Sequence, residues 1–186
     1  MEERKLKSDT GAFKTIDLAY ISICTVLIVI CSWISIPTAV PFTLQTFGVF
    51  CSLGLLGGKR GTYSIIVFLL LGAIGLPVFS GFAGGIGAIL GTTGGYMVGF
   101  VFMGLIYRLG EILGKGKLPV RIVSMVIGLL VCYAFGTAWF MIVYSNKTGA
   151  IGLGTALAWC VFPFIIPDIV KLVLATLLTE KLRKNL

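Results

Sequence analysis

The chain has 186 residues, 58% of them hydrophobic and 12% charged, with a formal net charge of +8 and no histidine. A mean hydropathy of +1.06 is more apolar than a water-soluble domain of this size sustains, so the chain is read as an integral membrane protein with no separate soluble domain. Its basic residues fall in short clusters between apolar runs and form no single basic face, which argues against nucleic acid as a partner and for membrane topology.

Residues 1–17 carry eight charged side chains, from Glu2 to Asp17, and read as an exposed arm. No cleavable signal follows, because the first apolar run is about 20 residues long and ends without a small-residue cleavage site. Residues 18–58 are uncharged. At 1.5 Å per residue they make roughly 60 Å of helix, twice a hydrocarbon core of about 30 Å, so they cross twice, turning at Pro37 and Pro41. Lys59 and Arg60 close that hairpin. Residues 61–107 are again uncharged and cross twice around the tip GLPVFSGFAGGIG. Arg108, Glu111, Lys115, Lys117 and Arg121 form the next polar connection. The last stretch, residues 122–179, is interrupted only by Lys147 in the tip YSNKTGAIG and by Asp168 and Lys171.

The expected fold is therefore all-α: six transmembrane helices in three hairpins over residues 18–180, with a tail at 181–186. Thirteen of the fifteen Lys and Arg residues lie in the arm, the inter-hairpin connections and the tail. That asymmetry places both termini in the cytoplasm and the three tips outside. Gly87, Gly91, Gly95 and Gly99 recur every four residues and read as a flat helix ridge for close packing. The string GGIGAILG lacks the spacing of a dinucleotide loop, and GGKRGT has Leu53 and Arg60 where a phosphate loop needs Gly and Ser or Thr. The five cysteines form no CxxC pair, and without histidine neither a metal site nor a disulfide framework is expected. One membrane carboxylate is too little for an intramembrane enzyme.

Chemistry concentrates in PFIIPDIVK, residues 163–171. Asp168 and Lys171 sit at i and i+3, one helical turn apart, where a carboxylate can partner an ammonium. Each charge at bilayer depth costs roughly 2.5 to 3.5 kcal/mol, so the pair is a binding site or a clamp between helices, or Lys171 snorkels towards an interface. Pro167 has no N–H and frees the carbonyl of Pro163, so the helix kinks or begins there. Polar and aromatic candidates around the tips are Thr43 and Gln45 after Pro41, Phe79 and Ser80 in the glycine-rich tip, Tyr96 opening the fourth span, and Tyr133 and Trp139 within the fifth.

The segments VPFTLQT, LGLLGGKRG, GAIGLPVFSG, GTTGGYMVGF, YAFGTAW and PFIIPDIVK, in this order, resemble the BioY family of biotin transporters, the substrate-binding S components of energy-coupling factor (ECF) transporters. The resemblance implies a six-helix protein in the cell membrane of a bacterium, binding biotin in an outward-facing cavity beneath its external loops. It also implies a transmembrane coupling subunit and two cytoplasmic ATPase subunits as partners, with no cofactor and no hydrolysis by the S component itself. The implied site comprises Gln45, Phe79, Ser80, Tyr96, Tyr133, Asp168 and Lys171. Some relatives dock the coupling subunit through AxxxA on the first helix; here Ala19, Ser22 and Thr25 make a small-residue stripe of different spacing. Asp168 can accept from a ureido N–H, Lys171 can donate to the ureido oxygen or the carboxylate, Gln45 can do either, and the rings of Phe79, Tyr96, Tyr133 and Trp139 can pack on the ligand. Which end of biotin meets Lys171 stays open. The alternative is a solitary biotin carrier working without the ATPase module.

Overall fold

The structure is a computed structural model that describes residues 14–38 and 40–183. Residues 1–13 of the expected arm and 184–186 of the tail lie outside the described residues. The chain runs α1 (Thr15–Trp33), β1 (Ser35–Ile36), β2 (Phe42–Thr43), α2 (Gln45–Ala73), a 3₁₀ turn (Ser80–Phe82), α3 (Ile86–Ile89), α4 (Gly94–Leu113), α5 (Leu118–Thr148), α6 (Leu153–Cys160) and α7 (Phe162–Arg183). Among the described residues, five helical stretches are long and apolar enough to cross a membrane: α1, α2, α4, α5 and the run Leu153–Arg183 that joins α6 to α7. Large apolar side chains stand exposed along them, including Ile23, Leu105, Leu130, Ile166 and Leu177, as expected where lipid replaces water.

Helix α2 is not one rod. Gly57 has φ +76° and ψ 173°, a conformation that side chains with a Cβ rarely adopt, and the backbone reverses there. A Cβ built on Gly61 would lie 2.9 Å from the Cα of Leu53, whereas eight residues along a straight helix are about 12 Å apart. Both arms of the reversal pack on one level of α1: Ser52 Oγ donates to Cys24 O, and Ser64 Oγ donates to Ile21 O. The Glu111 carboxylate accepts from the Gly58 N–H at 2.8 Å, supplying a partner to a helix start that would otherwise leave its donor orphaned.

Other ends have local causes. Asp17 accepts from the Lys14 N–H at 3.1 Å and pairs with Arg60 at 3.0 Å, so this residue, expected on an exposed arm, is buried in the first turn of α1. Pro119 stands in the first turn of α5, where a missing N–H costs nothing, and Gly149 at φ +110° ends that helix. The Pro37 to Pro41 turn carries a two-stranded antiparallel ladder, Ser35 opposite Thr43 and Ile36 opposite Phe42, which the sequence reading had not separated from a simple turn.

The core lies between α1, α2, α4 and α5, around Ile28, Phe50, Leu53, Phe68 and Met103, all fully buried. The predicted glycine ridge is only half present. Gly95 and Gly99 lie against Trp139 and Cys132 of α5, so close that an added Cβ would sit 2.3 and 2.7 Å from them. Gly87 belongs to the separate short helix α3 and faces open space, because the chain breaks helical register between α3 and α4.

Candidate functional site

At the end of the bundle away from the Asp17 and Glu111 contacts, the helices leave a cavity of about 640 Å³ counting its open mouth. Its walls come from several parts of the chain. The α1–α2 connection contributes Pro41 and Thr43, α2 contributes Gln45 and Thr46, and the 3₁₀ turn contributes Ser80. Tyr96, Met97 and Phe100 come from α4, Leu129, Cys132 and Tyr133 from α5, and Phe164, Asp168 and Lys171 from α7.

Helix α7 presents its charged pair because a break at Val161 separates it from α6, and it then tolerates Pro163 in its first turn and Pro167 within. Asp168 is 1% exposed and Lys171 6%. Their Oδ1 and Nζ atoms are 2.9 Å apart. Asp168 Oδ1 also accepts from Thr46 Oγ1 at 2.8 Å, and Oδ2 accepts from the Tyr133 hydroxyl at 2.6 Å. Lys171 Nζ donates further to Thr43 O at 2.6 Å and to Thr46 Oγ1 at 3.1 Å, and lies 4.6 Å from the centre of the Phe42 ring. A charge at this depth is tolerable because each of its partners comes from the protein itself.

The structure brings seven of the nine sequence-predicted residues to this cavity: Thr43, Gln45, Ser80, Tyr96, Tyr133, Asp168 and Lys171. The other two stand behind its walls. Phe79 is 1% exposed with its ring edge-on to Phe68, while Trp139 packs on Gly95 and donates from Nε1 to Gly91 O at 2.9 Å. Each is a wall support in this geometry and neither is a lining ring. Tyr96 lines the cavity, with its hydroxyl 2.9 Å from Thr137 Oγ1.

Thr46 was missed, although it adjoins Gln45 and touches both members of the pair. The available signal was the β-hydroxyl one residue after a polar candidate. Cys132 and Cys160 also line the cavity; all five cysteines are free and buried.

On α1, Ala19 and Ser22 are exposed. Thr25 is 2% exposed and donates to Ile21 O and Ser64 O, so it faces α2 and does not extend the proposed docking stripe. A threonine three residues further on turns inward because α2 packs against that flank of α1.

Known proteins share this architecture and sequence. The BioY family model matches residues 3–186. A probable biotin transporter BioY from Pyrococcus horikoshii is 44% identical over 147 residues, covering 78% of this chain and 82% of its own. The biotin transporter BioY of Thermotoga maritima is 41% identical over 164 residues, covering 87% and 92%. A crystal structure of the S-component for biotin from an ECF-type ABC transporter superposes with a TM-score of 0.80 at 30% identity, over 93% of this chain and 95% of that one. The named relatives are transporters and not enzymes. A multi-pass helical membrane protein matched over nearly its whole length, this chain belongs to the BioY family of transport proteins.

Proposed function

We propose that this protein binds biotin in the cavity described above and serves biotin uptake across a bacterial cell membrane as the substrate-binding S component of an ECF transporter. The observation that carries the reading is the buried Asp168, Lys171, Thr46 and Tyr133 network opening onto a mainly apolar cavity. The relatives' names and the S-component structure support the choice of ligand and of transport class. Gln45, Ser80, Tyr96, Tyr133, Asp168 and Lys171 are the proposed ligand-facing residues, with Phe79 and Trp139 shaping the walls.

In this reading the chain crosses six times: α1, the two arms of α2 on either side of Gly57, α4, α5 and α7. The Lys and Arg clusters put both termini in the cytoplasm and the cavity towards the outside. A transmembrane coupling subunit docks on the lipid-facing flank of α1 at Ala19 and Ser22, and two cytoplasmic ATPase subunits supply the energy.

Titration calorimetry with biotin tests the site. Asp168→Ala and Lys171→Ala are expected to weaken binding by roughly a hundredfold or more, the scale of breaking a buried charged network; undiminished affinity in both rejects it. Uptake of labelled biotin by a host lacking the ATPase module tests the transport class. Loss of uptake is expected, and full uptake would favour the solitary carrier.

A further inference from the structure

At the far end of the bundle from the cavity, Arg108 of α4 is an exposed cation that no acid among the described residues neutralises. Asp17 pairs with Arg60, Glu180 with Arg121 and Asp168 with Lys171. The acid at i+3, Glu111, is the natural helical partner for Arg108. Its carboxylate is turned the other way, accepting from the Gly58 N–H at 2.8 Å. The backbone of Arg108 itself is fixed against α2, where a Cβ added to Gly58 would lie 2.3 Å from the Arg108 Cα.

Arg108 stands five residues, about 7.5 Å, before the end of α4 at Leu113. The outer face of the helix stays apolar on both sides of it. Leu105 is 49% exposed before it, and Leu109, Ile112 and Leu113 are 60%, 64% and 76% exposed after it. A face of this composition belongs in lipid, so the Arg108 backbone lies below the apolar margin and its guanidinium must reach up to an anion. Leu105, Ile106, Arg108, Leu109 and Ile112 together line an open groove on this face. Just past the helix end, Lys115 and Lys117 are exposed. The turn that carries them is closed by Gly116 N–H to Glu111 O at 3.1 Å and Lys117 N–H to Gly114 O at 3.0 Å, which keeps both lysines at this end of α4.

We propose that the groove holds one anionic phospholipid, its phosphate drawn to Arg108 and to the lysines at the margin and an acyl chain packed on Leu105, Ile106 and Leu109. Charge and shape select this occupant. A zwitterionic lipid brings its own cation to its phosphate, whereas a phosphodiester without one leaves its charge for Arg108, whose planar fork matches phosphate oxygens. Free phosphate offers nothing to the apolar walls. This site is separate from the biotin cavity and stands or falls without the biotin reading.

Native mass spectrometry of the full chain in a non-ionic detergent tests it, with phosphatidylglycerol and phosphatidylcholine of matched acyl chains as probes and inorganic phosphate as competitor. Wild type is expected to bind its first phosphatidylglycerol roughly fivefold or more tightly than phosphatidylcholine, the scale of one interfacial cation. Arg108→Gln and Arg108→Leu are expected to reduce that preference to about twofold or less and Arg108→Lys to retain it, all three unfolding at the wild-type temperature in lipid-free detergent. Millimolar phosphate is expected to leave the bound lipid in place.

Equal binding of the two lipids by wild type, or a full preference retained in both Arg108→Gln and Arg108→Leu, overturns the proposal. Displacement by inorganic phosphate makes this a simple anion site and overturns it as well. A preference lost in Lys115→Gln combined with Lys117→Gln but intact in Arg108→Gln moves the selectivity to the turn and removes it from the groove. Arg108→Gln protein that keeps its lipid preference but no longer co-purifies with the coupling subunit gives the groove to that partner instead.

Discussion

Thr46 places one hydroxyl between opposite charges, donating to Asp168 Oδ1 at 2.8 Å and accepting from Lys171 Nζ at 3.1 Å. Thr46→Val keeps the shape and removes both bonds. It is expected to destabilise the protein by about 1–3 kcal/mol, while Thr46→Ser stays near wild type; thermal unfolding in detergent measures the difference. The pair itself has an asymmetric cost. Lys171→Met strands a buried carboxylate and is expected to cost about 3–5 kcal/mol, whereas Asp168→Asn combined with Lys171→Met costs less than Lys171→Met alone. Unfolding temperatures that fall additively would show that the two charges do not depend on each other.

Between elements, the Gly57 reversal does for α2 what a loop does elsewhere, and Glu111 of α4 secures it. Gly57→Ala combines a strained φ of +76° with a Cβ only 3.0 Å from the Glu111 carboxylate. A loss of about 1–3 kcal/mol is expected, and Glu111→Leu, which removes the acceptor for the Gly58 N–H, is expected to lower the unfolding temperature as well. A fully stable Gly57→Ala protein would mean that the backbone there is not held as described. The same logic governs the α4–α5 seam: a larger side chain at Gly99 must displace Cys132, which lines the cavity, so Gly99→Leu is expected to weaken ligand binding from behind the wall.

For the molecule as a whole, polar contacts sort to two ends. At one end Asp17 pairs with Arg60, and Arg121 of α5 bonds to Tyr107 of α4 at 2.9 Å and to Glu180 of α7 at 2.5 Å. At the other lie the β1–β2 ladder, the cavity and the 3₁₀ turn, tied to α1 by Trp33 Nε1 donating to Pro77 O at 2.8 Å and by Ser32 Oγ donating to Val78 O. The native cysteines are all buried, so introduced ones report orientation against a low background. A membrane-impermeant maleimide is expected to label Lys147→Cys in intact cells and Lys115→Cys only after lysis. The reverse pattern would invert the molecule.

Much of this was legible before any coordinates. Long uncharged runs and the prolines at the first tip are local properties, so an all-α membrane protein with several long apolar helices follows from the sequence directly. So does the shared face of Asp168 and Lys171, because i and i+3 on a helix leave little choice. What surrounds that pair was decided by tertiary packing. Thr46 and Thr43 reach it from 122 and 128 residues away and Tyr133 from 35, while Phe79 and Trp139, aromatic and similarly placed in the chain, turn behind the walls. Composition and spacing do not encode which flank of a helix meets its neighbour; that is set by how closely the helices approach, and here by where glycine lets them touch.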